Sequence, residues 1–230
     1  MKIRYAPLAA ACALMVAASA QAAAVTYYFG GVLDEVPDGP SLAIGDAFTG
    51  SFTFESTAAD FYPASQVNGT YFGSSFSVEG AVKNYSFSGI EQSASCVTTS
   101  CVGVTVLDQP NSLDFFQVVS SVFGGPSASV TGPTLDGRPP FFLFCRLSDS
   151  AATVFDSDAL PSRLTLSSFD SGKFSIFFAG LNSNGGEAIA SGPLAYLSTT
   201  APLPVPEAST SAMLALGLGA LAVARRRKVR

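Results

Sequence analysis

Seventeen carboxylates and four thiols, with no histidine and no tryptophan, define the chemistry open to this 230-residue chain. Without imidazole, the common Ser-His-Asp and Cys-His arrangements are excluded, and so is histidine-ligated metal chemistry. No glycine-rich turn follows a strand and opens a helix, so nucleotide phosphates have no cradle. Acid chemistry remains. Two carboxylates suffice to hydrolyse a glycoside when they stand about 5–9 Å apart across the bond. Sequence spacing alone places no pair of acids here at that separation.

Asp170-Ser171-Gly172, preceded by Phe169, matches the Asp-Ser/Thr-Gly step of aspartic proteases. Those enzymes need two such carboxylates sharing a proton. A second copy is missing, so only a homodimer would supply it, and a hairpin turn between Ser168 and Lys173 is the simpler reading. Loop acids fall in two groups: Asp34, Glu35 and Asp38, then Asp149, Asp156 and Asp158 ahead of Pro161. With neighbouring carbonyls such acids can ligate Ca²⁺, and Asp156 and Asp158 are the candidates for that role. Neither group has the spacing of a helix-loop-helix calcium site, and Asx turns account for the same residues. Asn68-Gly69-Thr70 and Asn84-Tyr85-Ser86 fit the glycosylation pattern and are read as turn and strand residues.

Cys96 and Cys101 flank four residues and form the natural disulfide pair of an exported chain. A ring that small contributes about 2 kcal/mol through loop entropy. Zinc is a poor rival, since only one further cysteine of the exported part, Cys145, is available. Cys145 lies in a phenylalanine-rich run and reads as a buried thiol, or as a bridge to Cys96 or Cys101; the sequence leaves both open.

The elements that position these groups are strands. Only 13% of residues are charged, whereas phenylalanine numbers 19 and glycine 21, a composition that favours strands over helices. In segment 46–55, Phe48, Gly50, Phe52 and Phe54 share one face and Thr49, Ser51, Thr53 and Glu55 the other. Segment 71–79 alternates in the same way, with Phe72, Phe76 and Val78 on one side. Tyr85 and Phe87, and then Val102, Val104 and Val106, repeat the pattern. Segments 25–33, 115–122, 141–147, 163–169, 173–178 and 188–197 read as further strands. Turn residues separate them at Asp38-Gly39, Asn68-Gly69, Gly124-Gly125-Pro126, Asp136-Gly137, Asp170-Ser171-Gly172 and Asn184-Gly185-Gly186. The expectation is an all-β, antiparallel sandwich or jelly-roll-like domain over residues 25–200. Phe141, Phe142, Leu143 and Phe144 are apolar on both faces, which suits a central strand or one lying under a loop.

Charge is unevenly placed. Between residues 25 and 206, five basic residues (Lys83, Arg138, Arg146, Arg163 and Lys173) face sixteen acids, a net charge of −11. Such a body repels nucleic acid and anionic lipid headgroups.

The basic residues collect at the ends. Lys2 and Arg4 precede a short apolar run, and Ala20, Ala22 and Ala24 supply small residues for signal peptidase, so residues 1–24 read as a secretory signal. At the other end, residues 201–206 form a proline-rich spacer. Val205-Pro206-Glu207-Ala208-Ser209-Thr210 follows, then an apolar stretch over 211–224, then Arg225, Arg226, Arg227, Lys228 and Arg230. The apolar stretch is short for a span, and the basic cluster would stay cytoplasmic.

This three-part tail over residues 205–230 resembles the PEP-CTERM sorting signals: motif, short apolar helix and arginine-rich end. Ala208 stands where the pattern has its second proline. The resemblance implies cleavage by a membrane-bound exosortase and delivery to the envelope, surface or matrix of a Gram-negative bacterium that makes exopolysaccharide. The body also looks like a recurrent domain of such proteins, on segments 25–33 and 45–52 and on Ser157-Asp158-Ala159-Leu160-Pro161; this likeness transfers no activity. The expectation is a non-enzymatic adhesion or scaffold protein, with no cofactor beyond a conceivable Ca²⁺. The exposed Ser and Thr rows and Tyr27, Tyr28, Tyr62 and Tyr71 are its sugar-facing candidates. A hydrolase with paired carboxylates and a ligand-free structural protein are the alternatives.

Overall fold

A computed structural model describes residues 24–72, 75–89, 102–120 and 130–202. Residues 1–23 of the signal region, the Cys96–Cys101 pair, the Gly124-Gly125-Pro126 turn, the sorting motif, the apolar stretch and the basic tail all lie outside the described residues, whereas Ala24 opens the first strand.

Alternating phenylalanines, valines and hydroxyl residues produce eleven strands among the described residues. They are β1 (Ala24–Val32), β2 (Ala47–Glu55), β3 (Asn68–Phe72), β4 (Ser77–Val82), β5 (Tyr85–Gly89), β6 (Gly103–Gln109), β7 (Leu113–Val119), β8 (Val130–Thr131), β9 (Pro140–Asp149), β10 (Ser171–Leu181) and β11 (Glu187–Ser198). All pair antiparallel in one curled sheet, in the order β3-β6-β7-β9-β10-β11-β1-β2-β4-β5-β8. The fold is all-β, as the alternation predicts.

The curl makes two layers. β11 forms the corner: residues 187–193 pair with β10, while residues 194–198 pair with β1 across a bulge. Strands that change partners through a bend of this kind join the layers of a sandwich. Phenylalanines then pack across the gap. Phe29 and Phe48 meet Phe174 with ring centroids at 5.1 and 5.3 Å, Phe54 and Phe52 meet Phe116 at 5.3 and 5.8 Å, and Phe87 meets Phe178 at 5.7 Å. Each such pair adds about 1 kcal/mol beyond its area burial, so the rings fix how one layer lies on the other.

Glycines set how closely the layers approach. Phe29, Gly50, Gly80 and Phe87 form one inward row across β1, β2, β4 and β5. The Phe174 ring occupies the space that a side chain at Gly80 would fill, and the Phe29 ring does the same at Gly50.

Four local expectations are corrected. Segment 71–79 is not one strand: it divides between β3 and β4, which lie toward opposite ends of the strand order. The division reverses its first face, so Tyr71 is buried and Phe72 only partly so. Asn68-Gly69 is not a turn but the start of β3; the loop carbonyl of Asp158 crosses so close to Gly69 that no side chain fits there. Residues 163–169 are not a strand, but a loop with one 3₁₀ turn, Leu166–Ser168. Ser171 and Gly172 belong to β10 rather than to a hairpin turn. The Asp136-Gly137 turn is present: both residues have positive φ (49° and 82°), and Leu135 and Arg138 exchange main-chain hydrogen bonds. β7 ends at Val119. β9 is a central strand between β7 and β10.

Candidate functional site

The outer face of the β1-β2-β4-β5-β8 layer holds a shallow open cleft of about 840 Å³. Its floor includes the main chain of β2 and β4, where Gly50 and Gly80 line it. The outward positions of the same strands supply the polar lining: Thr49 and Ser51 from β2, Glu79 from β4, Ser86 and Ser88 from β5, and Thr131 from β8. Tyr28 and Tyr196 complete it from β1 and β11. The Tyr196 ring lies against the bare α-carbon of Gly30; a β-carbon there would stand 2.7 Å from the ring and 2.9 Å from its hydroxyl. Partial burial raises the Tyr196 hydroxyl above the ordinary tyrosine range, so it stays a neutral donor.

Two rings beside rows of hydroxyls can stack on sugar faces and hydrogen-bond their hydroxyls. Among the described residues Glu79 is the one carboxylate lining the cleft, whereas glycoside hydrolysis needs two. Pro202 also lines it, placing the start of the tail at its edge.

Of the sugar-facing candidates read from the sequence, Tyr28 lines the cleft, together with Thr49 and Ser51 of an outward hydroxyl row. Tyr27 and Tyr71 do not face a ligand. Tyr27 is 2% exposed, and its hydroxyl accepts the Leu164 N–H at 2.8 Å. Tyr71 is 4% exposed and donates to the Asp158 carbonyl at 2.8 Å. Burial, reinforced by the charges of Asp60 and Asp158, pushes the Tyr71 hydroxyl up to about 12. Each tyrosine ties a loop to the sandwich. Tyr62 is exposed beside Phe61, away from the cleft lining. Tyr196 and Glu79 escaped sequence reasoning. Tyr196 faces the cleft only because β11 turns the corner, and Glu79 sits in a segment whose break into two strands gave no local signal.

Several aspartates accept hydrogen bonds from loop residues. Asp149 accepts the N–H groups of Ala151 and Thr153 and the Thr153 hydroxyl, and the Thr153 N–H leads in holding it below the usual carboxylate range. Asp38 accepts the Ser183 N–H and is lowered by it. Asp170, the acid of the protease-like tripeptide, accepts the Ser150 N–H and hydroxyl at 2.7 and 2.5 Å. Asp114, fully buried, accepts the N–H groups of Val154 and Phe155. Asp156 and Asp158 lie in the same 150–162 loop. Among the described residues no three acidic or thiol side chains converge in a way that could hold a metal ion. Cys145 is a free thiol facing the core, and burial raises it far above the ordinary thiol range.

The sorting reading is decided by a family model. Residues 204–228 match the PEP-CTERM protein-sorting motif. The chain is a PEP-CTERM exosortase substrate. The matched interval contains Val205, Pro206, Glu207, Ala208, Ser209 and Thr210 and reaches Arg225, Arg226, Arg227 and Lys228. A PEP-CTERM protein of this kind is secreted, processed by an exosortase-type enzyme and associated with the cell envelope or surface. Comparison with curated proteins and with solved structures returns no match to this PEP-CTERM protein. Among its described residues no helix is long and apolar enough to cross a membrane.

Proposed function

We propose that the exported domain is a non-enzymatic glycan-binding module, an adhesion or scaffold component of exopolysaccharide, with the Tyr28–Tyr196 cleft as its binding face. The observation that carries this reading is the Tyr196 ring laid against Gly30 beside Tyr28, above outward rows of serine and threonine hydroxyls. Hydrolysis is the lesser reading, because among the described residues a single carboxylate lines the cleft. Export begins with signal-peptidase cleavage near Ala20, Ala22 or Ala24. The apolar stretch 211–224 then lodges transiently in the inner membrane of a Gram-negative cell until the exosortase acts, with Arg225 to Arg230 held on the cytoplasmic side.

Binding of the exported protein to an array of neutral oligosaccharides tests the cleft. Tyr28→Ala and Tyr196→Ala should each weaken binding about tenfold, in line with the stacking energy of one ring, while the melting temperature stays close to that of the parent. Undiminished binding by the double variant would remove the cleft from the account.

A further inference from the structure

The outward face of the opposite layer carries a second arrangement, independent of the cleft. One row crosses it in register: Thr105 of β6, Gln117 of β7, Arg146 of β9 and Lys173 of β10. Arg146 and Lys173 are two of the five basic residues in a body of net charge −11, yet they are direct cross-strand neighbours. Like charges placed so oppose each other and destabilise a sheet.

Arg146 is also fixed. Its guanidinium stands 4.7 Å from the Phe115 ring centroid and 5.7 Å from that of Phe144, so it is held between aromatic residues of the two neighbouring rows. Its Nε donates to Gln117 Oε1 at 2.6 Å. Among the described residues neither Nη donates a hydrogen bond, and the ion pairs are Lys83–Asp46 and Lys173–Glu35. A partly buried guanidinium without a counter-ion is costly unless an anion completes it. Phe177 extends the ring surface, 5.9 Å from Phe144.

We infer that this face binds a carboxylate-bearing sugar, a uronate unit of an acidic glycan, with Arg146 taking the carboxylate and Phe144 and Phe177 stacking on the ring. The two free Nη groups form the planar fork that accepts a carboxylate in bidentate fashion. Nε is already engaged and the flanking rings restrict rotation, so little side-chain entropy remains to be lost. Lys173 supplies a second positive charge one strand away. It is exposed and holds Glu35 only at 3.7 Å, so it is free to turn toward the ligand. The strong negative charge of the rest of the body repels a long polyanion at a distance, so a short oligouronate shows the local recognition best.

The test is calorimetric titration of the exported protein with tetragalacturonate, and with the same tetramer after reduction of its carboxyl groups. The charged tetramer should bind, added salt should weaken it, and the reduced tetramer should bind at least about tenfold more weakly. Arg146→Met keeps a stem to fill the space between Phe115 and Phe144 but removes the fork, and should lose about tenfold or more. Lys173→Gln, at an exposed site that leaves folding intact, should lose a few-fold. Arg163→Gln, which removes an exposed positive charge elsewhere, should change nothing, and unaltered neutral-glycan binding by Arg146→Met separates failure of this site from failure of the cleft. Equal binding of the two tetramers, absence of binding by the parent, or full binding by folded Arg146→Met would overturn the inference. Should Arg146→Met not fold, Arg146→Lys, which keeps the charge but lacks the fork, decides: undiminished binding contradicts the proposal.

Discussion

At the scale of single residues, aspartates hold the loops and make the fold sensitive to acid. Asp149, Asp38 and Asp46 are each held below the usual carboxylate range; the leading causes are the Thr153 N–H for Asp149, the Ser183 N–H for Asp38 and Lys83 for Asp46. A depressed folded pKa means that the stabilisation is complete above the unfolded value near about 4 and is lost as pH falls through the folded value. Asp108 has the opposite sign. Burial first, then the charges of Asp114, Asp156 and Asp158, raise its carboxyl, so its ionised form opposes folding and that opposition fades on acidification. Three of these acids are depressed and one is raised. Melting temperature should therefore fall as pH drops below about 4. Asp149→Asn should flatten that fall, because the amide keeps an acceptor for the 150–153 turn but no longer titrates. An acid profile identical to the parent's would show that the Asp149 carboxylate is not the group at work.

At the scale of elements, the decisive contacts join strands distant in sequence. Phe174 of β10 fits against Gly80 of β4, a residue that also lines the cleft. Gly80→Ala would force a β-carbon into the Phe174 ring, and overpacking of this kind costs about 1–3 kcal/mol. Chemical denaturation should show a loss in that range. Stability equal to the parent's would mean that the layers tolerate wider separation than the ring packing implies. Strand faces were readable wherever alternation was strict: Phe48, Phe52 and Phe54, and Val102, Val104 and Val106, point inward as their spacing requires. Segment 71–79 alternates as well and 163–169 reads as a strand, yet the first divides between two strands and the second forms a loop with a 3₁₀ turn. Periodicity records which side chains are apolar. It does not record where a strand leaves one neighbour for another. Asn68-Gly69 misleads for a related reason, since glycine there answers a crossing loop rather than a turn.

At the scale of the whole molecule, the sorting tail was the most legible feature, because its parts are local: a short motif, an apolar run and a basic end, matched over residues 204–228. The cleft was half legible. Its hydroxyl rows follow from alternation along β2 and β5, but Tyr196 and Glu79 reach it only through the corner in β11 and the order of the curled sheet. The basic row at Arg146 needed cross-strand register, which no single segment contains. The resulting molecule presents two different faces on one sandwich, and Pro202 lies at the rim of the cleft.

The most direct measurement is intact-mass and terminal-peptide mass spectrometry of the native protein recovered from the cell envelope and medium. The account predicts a first residue just beyond Ala20, Ala22 or Ala24 and a last residue near the Val205–Thr210 motif, with 211–230 missing. A surface-located protein that still ends in Arg230 would contradict it.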